Sequence, residues 1–269
     1  MAKRKAKMDT DDEGKTNFIN FNRVLHKSDY DVFGVTTRKG WEIEIALKTL
    51  REFGVVHKDA MILGVGAATE RTIFELSRDV KFVFATDKYC DMGTWADWSG
   101  TDFLADPAKY APDNIDFDVQ RIIPQHMDMM YMNYPDNTFD GVFSSGSIEH
   151  VGKGGQPDYL AIARAAREIG RVVKPGGILS LSTEWKLAGD GWGWGHVRLF
   201  DEALIYRHII EPSGCELIDE PDWSFDGDLN DAVELRKMVM ERFKPDVEYV
   251  LKEHQFTFTS VHLAMRKPE

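Results

Sequence analysis

The stretch AMILGVGAATERTIFEL, residues 60–76, changes character at its centre. Residues 60–64 read as a short apolar strand, and from about residue 69 to 78 the apolar positions recur at helical spacing. Gly64 and Gly66 stand between the two. A tight turn after the first strand of a doubly wound sheet needs glycine where the backbone approaches a ligand and where a side chain would block the helix start. The helix that follows offers free N–H groups and a positive dipole end, suited to a carboxylate or phosphate. The next strand, KFVFAT at 81–86, leads to Asp87, twenty-three positions after Gly64. An acidic side chain there can accept hydrogen bonds from both ribose hydroxyls of an adenosine, and it can equally cap a helix or hold a turn.

The alternation of strand and helix continues outward. Residues 39–53, KGWEIEIALKTLREF, place Ile43, Ala46, Leu47 and Leu50 on one helical face, with Gly54 as a stop signal. Downstream the spacing predicts strands near 120–126 and at 139–144, a helix over about 157–173 and a strand at 177–183. Tyr159, Ile162, Ala166, Ile169 and Val173 give that helix a single apolar face, and KPGG at 174–177 breaks it before the next strand. Strands alternating with helices require crossovers, hence a mainly parallel sheet covered on both sides. Pro124 removes a ladder donor, which assigns its strand to an edge. Beyond residue 184 we expect a helix opened by Asp201 and closed by EPSG at 211–214, a short strand in CELIDE, a helical piece near 231–242 and a terminal strand in FTFTSVHLAM.

A chain of 269 residues suffices for one large α/β domain with an appendage. Its formal net charge of −12 disfavours a broad phosphate-binding surface, so a small or neutral substrate is expected and nucleic acid is not. No apolar run approaches the length of a bilayer span, and no membrane insertion is expected. The opening MAKRKAKMDTDDEGK sets the basic Lys3, Arg4, Lys5 and Lys7 before an acidic cluster, with no apolar segment after them, and reads as a flexible charged tail over residues 1–16. Cys90 and Cys215 match no zinc or redox spacing and imply a reducing, cytoplasmic setting. No His, Asp or Glu spacing indicates a metal.

The adenosine ligand can be narrowed. A dinucleotide fingerprint wants a third glycine, and position 69 is Thr69. A sulfonium cofactor has no pyrophosphate to seat and needs less bare backbone there. In order and spacing, ILGVGAATERTIFEL, FVFATDKY, HMDMMYMNYPDNTFDGVFSSGSIEHVG and REIGRVVKPGGILSLSTEW resemble the class I S-adenosylmethionine-dependent methyltransferases, and among them the small-molecule and sugar methyltransferases. The likeness covers about residues 39–220. It implies a doubly wound, mainly parallel, seven-stranded Rossmann-like sheet with helices on both faces and an antiparallel last strand, with S-adenosyl-L-methionine as cofactor. It further implies that Gly64, Val65 and Gly66 lie against the methionine part, and that Asp87, with Lys88 beside it, holds the ribose. Asp128 would accept from the adenine amino group, Met127 and Met129 would pack on the ring, and Ser144 and Ser145 would line the methyl-transfer point. Two positions depart from the family. Leu63 replaces the acidic residue often found before the first glycine, so a contact to the cofactor's amino group comes from elsewhere or is absent, and Ala68 replaces a glycine. Enzymes that methylate amino groups of DNA bases usually carry an Asn-Pro-Pro-Tyr type run after the fourth strand, where this chain has SSGS.

Methyl transfer is an in-line displacement at a carbon the sulfonium already activates, so a protein mainly aligns donor and acceptor and excludes water. A hydroxyl acceptor must also lose a proton. His150, in SIEHVG, has a suitable intrinsic pKa for that task and equally suits a structural bond to a carbonyl or to Glu149. Glu149 is itself a candidate base, an orienter of His150 or a helix-start carboxylate. In GDGWGWGHVRLF, residues 189–200, Trp192 and Trp194 could stack on a sugar or aromatic acceptor, with His196 and Arg198 adding hydrogen bonds, or could staple the loop to the core. By family likeness Trp41 and Glu42 help close the pocket, and Trp41 joins the substrate-binding candidates. The expected organisation is the tail at 1–16, an N-terminal lid at 17–55, a cofactor-binding core at 56–184 and, at 185–269, the substrate loop, last strands and helical insertion of the same domain. The activity expected is methyl transfer to a small-molecule or glycan acceptor, a hydroxyl first. EHVG also resembles the cyclopropane fatty acid synthases, which leaves a lipid or amine acceptor as an alternative, beside a non-catalytic protein with a retained cofactor pocket.

Overall fold

In the computed structural model, which describes residues 9–10, 16–17, 19–90, 101–153, 156–240 and 248–269, a ten-stranded sheet organises the chain. Lys3, Arg4, Lys5 and Lys7 lie outside the described residues; of the expected tail, only the backbone pairing of Asp9–Thr10 with Thr16–Asn17 falls within them. Seven strands form the frame: β1 Met61–Val65, β2 Phe82–Asp87, β3 Ile122–His126, β4 Phe139–Ser145, β5 Val173–Ala188, β6 Glu216–Leu217 and β7 Phe256–Arg266. Their spatial order is β3-β2-β1-β4-β5-β7-β6, parallel from β3 to β5, with β7 antiparallel to both β5 and β6. This is the mainly parallel sheet that the strand–helix alternation predicts, with the antiparallel last strand that the family resemblance implies.

Parallel strands need crossovers that cover both faces, so their burial is continuous rather than alternating. In β4 every residue but Asp140 is buried. Successive side chains point to opposite faces. Ile62 and Phe143 join Leu47, Leu50, Ile73 and Phe74 in one core, whereas Leu63 and Val142 join Ile162, Ala166 and Ile169 in the other. After the short α1 Asp29–Phe33, helices α2 Arg38–Glu52 and α3 Arg71–Ser77 therefore cover one face and α4 Tyr159–Val172 the other. Thr37 starts α2 by accepting the Gly40 N–H at 3.0 Å, and Asp158 starts α4 by accepting that of Ala161 at 2.7 Å.

Pro124 sits in β3, which among the described residues pairs only with β2, in keeping with an edge position. The outer edge of β7 is covered piecewise by three short antiparallel partners: Leu251–Glu253, then Arg23–Val24, then β6. An edge divided this way offers no long unpaired ladder.

Three expectations are corrected. KPGG does not separate helix from strand; β5 begins at Val173, directly after α4, and takes up the irregularity as a register shift between Val173 and Ile178. The helix opened by Asp201, whose carboxylate accepts the Leu204 N–H at 2.8 Å, is not uniform: Glu202–Ile205 leads into a π turn at Tyr206–Ile210 and then Glu211–Ser213. The helical piece near 231–242 opens as the strand Val233–Glu234 and continues as Leu235–Met240.

β1 lies between β2 and β4, and the chain leaves β1 and β4 toward opposite faces. That reversal opens a crevice at the carboxyl ends of β1 and β4, the place where open α/β sheets bind ligands.

Candidate active site

The two glycines of the opening stretch are bare for different reasons. Gly64 pairs with Phe143 across β1 and β4, and a Cβ on it would lie 2.5 Å from the Phe143 ring and 2.8 Å from the Ala67 Cβ. Its missing side chain makes room for protein, not for ligand. Gly66, at φ +61°, turns the chain at the crevice, and a Cβ there would collide with the Ser147 hydroxyl and reach within 3.0 Å of Met129 Cε. Ala68 follows in left-handed backbone at φ +42°. Its N–H donates to Asp87 Oδ2 at 2.9 Å, and the Lys88 N–H donates to Oδ1 at 2.6 Å. The Asp87 carboxylate thus clasps the turn after β1; burial raises its pKa, while these two N–H groups oppose the rise.

Asp128 accepts the Met130 N–H at 2.8 Å and pairs with Lys88 Nζ at 3.0 Å. Met127 donates its N–H to the Asp87 carbonyl at 2.9 Å, and both Met127 and Met129 are half-buried. Asp87, Lys88, Met127, Asp128 and Met129 are therefore gathered at one end of β2 and β3. Ser147 Oγ donates to the Val65 carbonyl at 3.3 Å, which leaves Ser144 Oγ to donate to Ser147 at 2.9 Å. Val65, Gly66, Ser144 and the adjacent Ser145 are thus brought together at the ends of β1 and β4.

A set of charges, most of them buried, closes the crevice from the α2 side, and sequence reasoning singled out only Glu42 and Glu149 among them. Lys39 Nζ donates to the Ser145 carbonyl at 2.8 Å and pairs with Glu42 Oε2 at 2.7 Å and, more loosely, with Glu70 Oε1 at 3.9 Å. Arg38 Nη1 donates to Glu184 Oε2 at 2.6 Å, Ser260 Oγ at 2.7 Å and Glu42 Oε1 at 3.2 Å, and its Nε stands 3.8 Å from Glu248. Glu149 accepts from Thr183 Oγ1 at 3.0 Å through Oε2, while its Oε1, shielded from water, has no hydrogen-bond partner among the described residues. Burial opposes charge throughout. It pushes Glu70 up to about 7 and Glu149 and Glu184 upward as well; Lys39 and Arg38 outweigh it at Glu42, whose carboxyl is held below the usual range. Burial likewise works against the Lys39 charge, but Glu42 and Glu70 hold it above the ordinary lysine range. Two signals were available in the sequence: the i, i+3 and i, i+4 spacing of Lys39 and Arg38 to Glu42, and a glutamate within the apolar strand LSLSTEW.

His150 lies just beyond β4, and its Nδ1 stands 2.6 Å from the His196 carbonyl oxygen. A carbonyl only accepts, so Nδ1 carries the proton and Nε2 is the basic nitrogen. Nε2 stands 3.6 Å from Glu149 Oε1. Burial lowers the pKa of His150, which the His196 carbonyl partly offsets. The tryptophans divide. Trp41 is fully buried against Phe33 and His262, so its substrate-binding assignment is corrected: it is a core residue of the N-terminal segment. Trp194 stacks on Phe256, packs at a tilt against Phe258 and staples the glycine loop to β7. Trp192 stays 38% exposed, the most open of the three, with Lys186 Nζ 3.5 Å above its ring. The His196 ring stacks beside His150, centroids 6.1 Å apart.

Residues 63–181 match the family model described as a methyltransferase domain. The match spans less than half of the chain, and the domain it identifies is that of the class I S-adenosylmethionine-dependent methyltransferases. Solved structures share the fold of this methyltransferase at low identity. A candidate sarcosine dimethylglycine methyltransferase from Galdieria sulphuraria is 17% identical, with TM-score 0.56, over 93% of this chain and 94% of its own. The cyclase SpnF is 20% identical, with TM-score 0.53, over 85% of this chain and 82% of its own. Phosphoethanolamine N-methyltransferase 2 from Haemonchus contortus, solved with S-adenosyl-L-methionine, is 14% identical, with TM-score 0.50, over 83% of this chain and 52% of its own. No curated protein sequence matches the chain. The cofactor of this methyltransferase is S-adenosylmethionine.

The crevice of the methyltransferase fits that cofactor. Asp87 has about four lone-pair sites, and among the described residues the Ala68 and Lys88 N–H groups occupy two of them. The shielded Glu70 Oε2 and Glu149 Oε1, which have no hydrogen-bond partner among the described residues, suit a ligand that carries positive charge. Among the described residues no helix is long and apolar enough to cross a membrane.

Proposed function

We propose that this methyltransferase moves the cofactor's methyl group to a hydroxyl of a small molecule or glycan, with His150 as the base, in a cytoplasmic setting. The observation that carries the reading is the bond from His150 Nδ1 to the His196 carbonyl, which fixes the tautomer with a basic Nε2 just beyond the end of β4. The sulfonium supplies an activated methyl group. The chain's own residues align and shield: Gly64, Val65 and Gly66 border the methionine part, Gly66 nearest, and Asp87 takes the ribose hydroxyls beside Lys88. Asp128 takes the adenine amino group between Met127 and Met129. Ser144 and Ser145 border the transfer point, Glu149 orients His150, and Trp192 and His196 offer flat faces to an acceptor. The formal net charge of −12 supports a small acceptor over nucleic acid, and the free thiols of Cys90 and Cys215 support a reducing compartment.

A second reading, transfer to an amine, is favoured by the surplus of buried carboxylates over Arg38 and Lys39 beside the transfer point. Calorimetry with S-adenosylhomocysteine tests the pocket, which Asp87→Ala should abolish. A panel of sugars, phenols and amines with labelled methyl donor then tests the acceptor. Hydroxyl transfer lost in His150→Ala, with cofactor binding intact, supports the first reading; full activity of that variant sinks the base, and transfer only to amines favours the second. Tight cofactor binding with no transfer to any acceptor favours a non-catalytic protein.

A further inference from the structure

We propose that Lys39 and Glu70 seat the amino-acid head of S-adenosylmethionine, Lys39 holding its carboxylate and Glu70 its ammonium. The inference rests on the cofactor lying along Gly66 and Asp87. That head is a zwitterion, so its seat needs one cation and one carboxylate a few ångströms apart. The position before the first glycine cannot supply the carboxylate, because Leu63 is fully buried in the core beneath the sheet.

Glu70 ends the turn that Gly66 begins, and the Asp87 and Lys39 charges both act on its carboxyl. It therefore lies on the crevice side of the turn, within 3.9 Å of the Lys39 ammonium. Its Oε2 is shielded from water and has no hydrogen-bond partner among the described residues. Lys39 enters from α2, its side chain 47% exposed, with the ammonium turned inward. At 3.9 Å the two are an ion pair too long for a hydrogen bond, so each keeps capacity for a ligand beside them. The backbone leaves space at the same point. A Cβ on Gly146, at φ +63°, would lie 2.8 Å from Lys39 Nζ, 3.1 Å from Glu42 Oε2 and 3.5 Å from Glu149 Oε1. Glu149 is fully buried, its Oε1 has no hydrogen-bond partner among the described residues, and it borders this space 3.6 Å from His150 Nε2, the ring nitrogen that carries no proton. That independent observation also points to a ligand that brings positive charge.

The experiment compares two ligands by calorimetry on the full chain. S-adenosylhomocysteine carries the amino-acid head, whereas 5′-deoxy-5′-methylthioadenosine keeps the nucleoside and thioether and lacks the head. Lys39→Met and Glu70→Gln should each weaken S-adenosylhomocysteine by about 10- to 100-fold, the worth of a charged hydrogen bond, and leave methylthioadenosine within about twofold. Lys39→Arg should recover most of the loss. Unchanged affinity for S-adenosylhomocysteine in both variants overturns the proposal, and so does an equal loss for both ligands, which marks a general disturbance of the pocket. If the unaltered chain binds neither ligand, the cofactor site itself is misplaced, an outcome distinct from failure of the seat.

Discussion

His150 donates from Nδ1 to the main-chain carbonyl oxygen of His196 at 2.6 Å, which ties the end of β4 to the glycine-rich loop and sets which ring nitrogen is basic. A base must be neutral to accept a proton, and burial lowers this histidine below its ordinary 6.5. For a hydroxyl acceptor, kcat/KM should therefore rise with pH through a value below 6.5 and level above it. His150→Gln should remove that limb and lower kcat by roughly 10²- to 10⁴-fold without weakening S-adenosylhomocysteine. An unchanged profile in the variant would assign the limb to another group.

Gly64 is bare because of Phe143, and this can be separated from a ligand role. Gly64→Ala should cost roughly 1–3 kcal/mol by overpacking, since the added Cβ meets the ring at 2.5 Å and Ala67 at 2.8 Å. Adding Phe143→Leu should recover part of that loss in urea denaturation. Cofactor affinity, measured where both variants are folded, should change little. A large loss of affinity at full stability would restore the ligand explanation.

What the sequence made legible is local. The face of α4 follows from the spacing of Ile162, Ala166 and Ile169, and the edge position of β3 follows from a single missing donor at Pro124. The order of elements around Gly66 and Asp87 is likewise written in short-range pattern. The buried charges are not, because Arg38 and Glu184 are 146 positions apart and meet only once α2 crosses the end of β5. Gly64 shows a second limit: a glycine next to a ligand and a glycine under a neighbouring ring read identically in one dimension. Trp41 shows a third, since a large aromatic near a helix start carries no mark of whether it faces the crevice or the core.

Ala68 occupies left-handed backbone at φ +42°, where a Cβ crowds the following carbonyl. Relief of that strain is worth roughly 1–2 kcal/mol, and glycine returns roughly 0.4–1 kcal/mol through the greater freedom of the unfolded chain. Ala68→Gly should thus stabilise the fold by about 0.5–1 kcal/mol. It keeps the N–H that Asp87 accepts, so a higher melting temperature with unaltered cofactor affinity is expected. A lower melting temperature would show that the Ala68 methyl packs more than it strains.

Glu149 sets a pH dependence of stability whose sign is opposite to that of an ordinary surface-paired carboxylate. Burial raises its folded pKa from 4.5 to about 7, so between those values the folded chain holds a proton the unfolded chain has released. The corresponding stability is complete below 4.5 and is lost as pH rises through about 7. Above that, the fold carries a buried carboxylate with one unbonded oxygen, while Thr183 serves only the other. Glu149→Gln keeps the shape and an acceptor for Thr183 but never ionises. In denaturant titrations the variant should match the unaltered chain within about 0.5 kcal/mol at pH 5 and exceed it by about 1–3 kcal/mol at pH 8. An advantage equal at both pH values would mean that shape rather than charge is responsible. A variant weaker at pH 8 would mean that Lys39 or a neighbouring cation compensates the carboxylate fully.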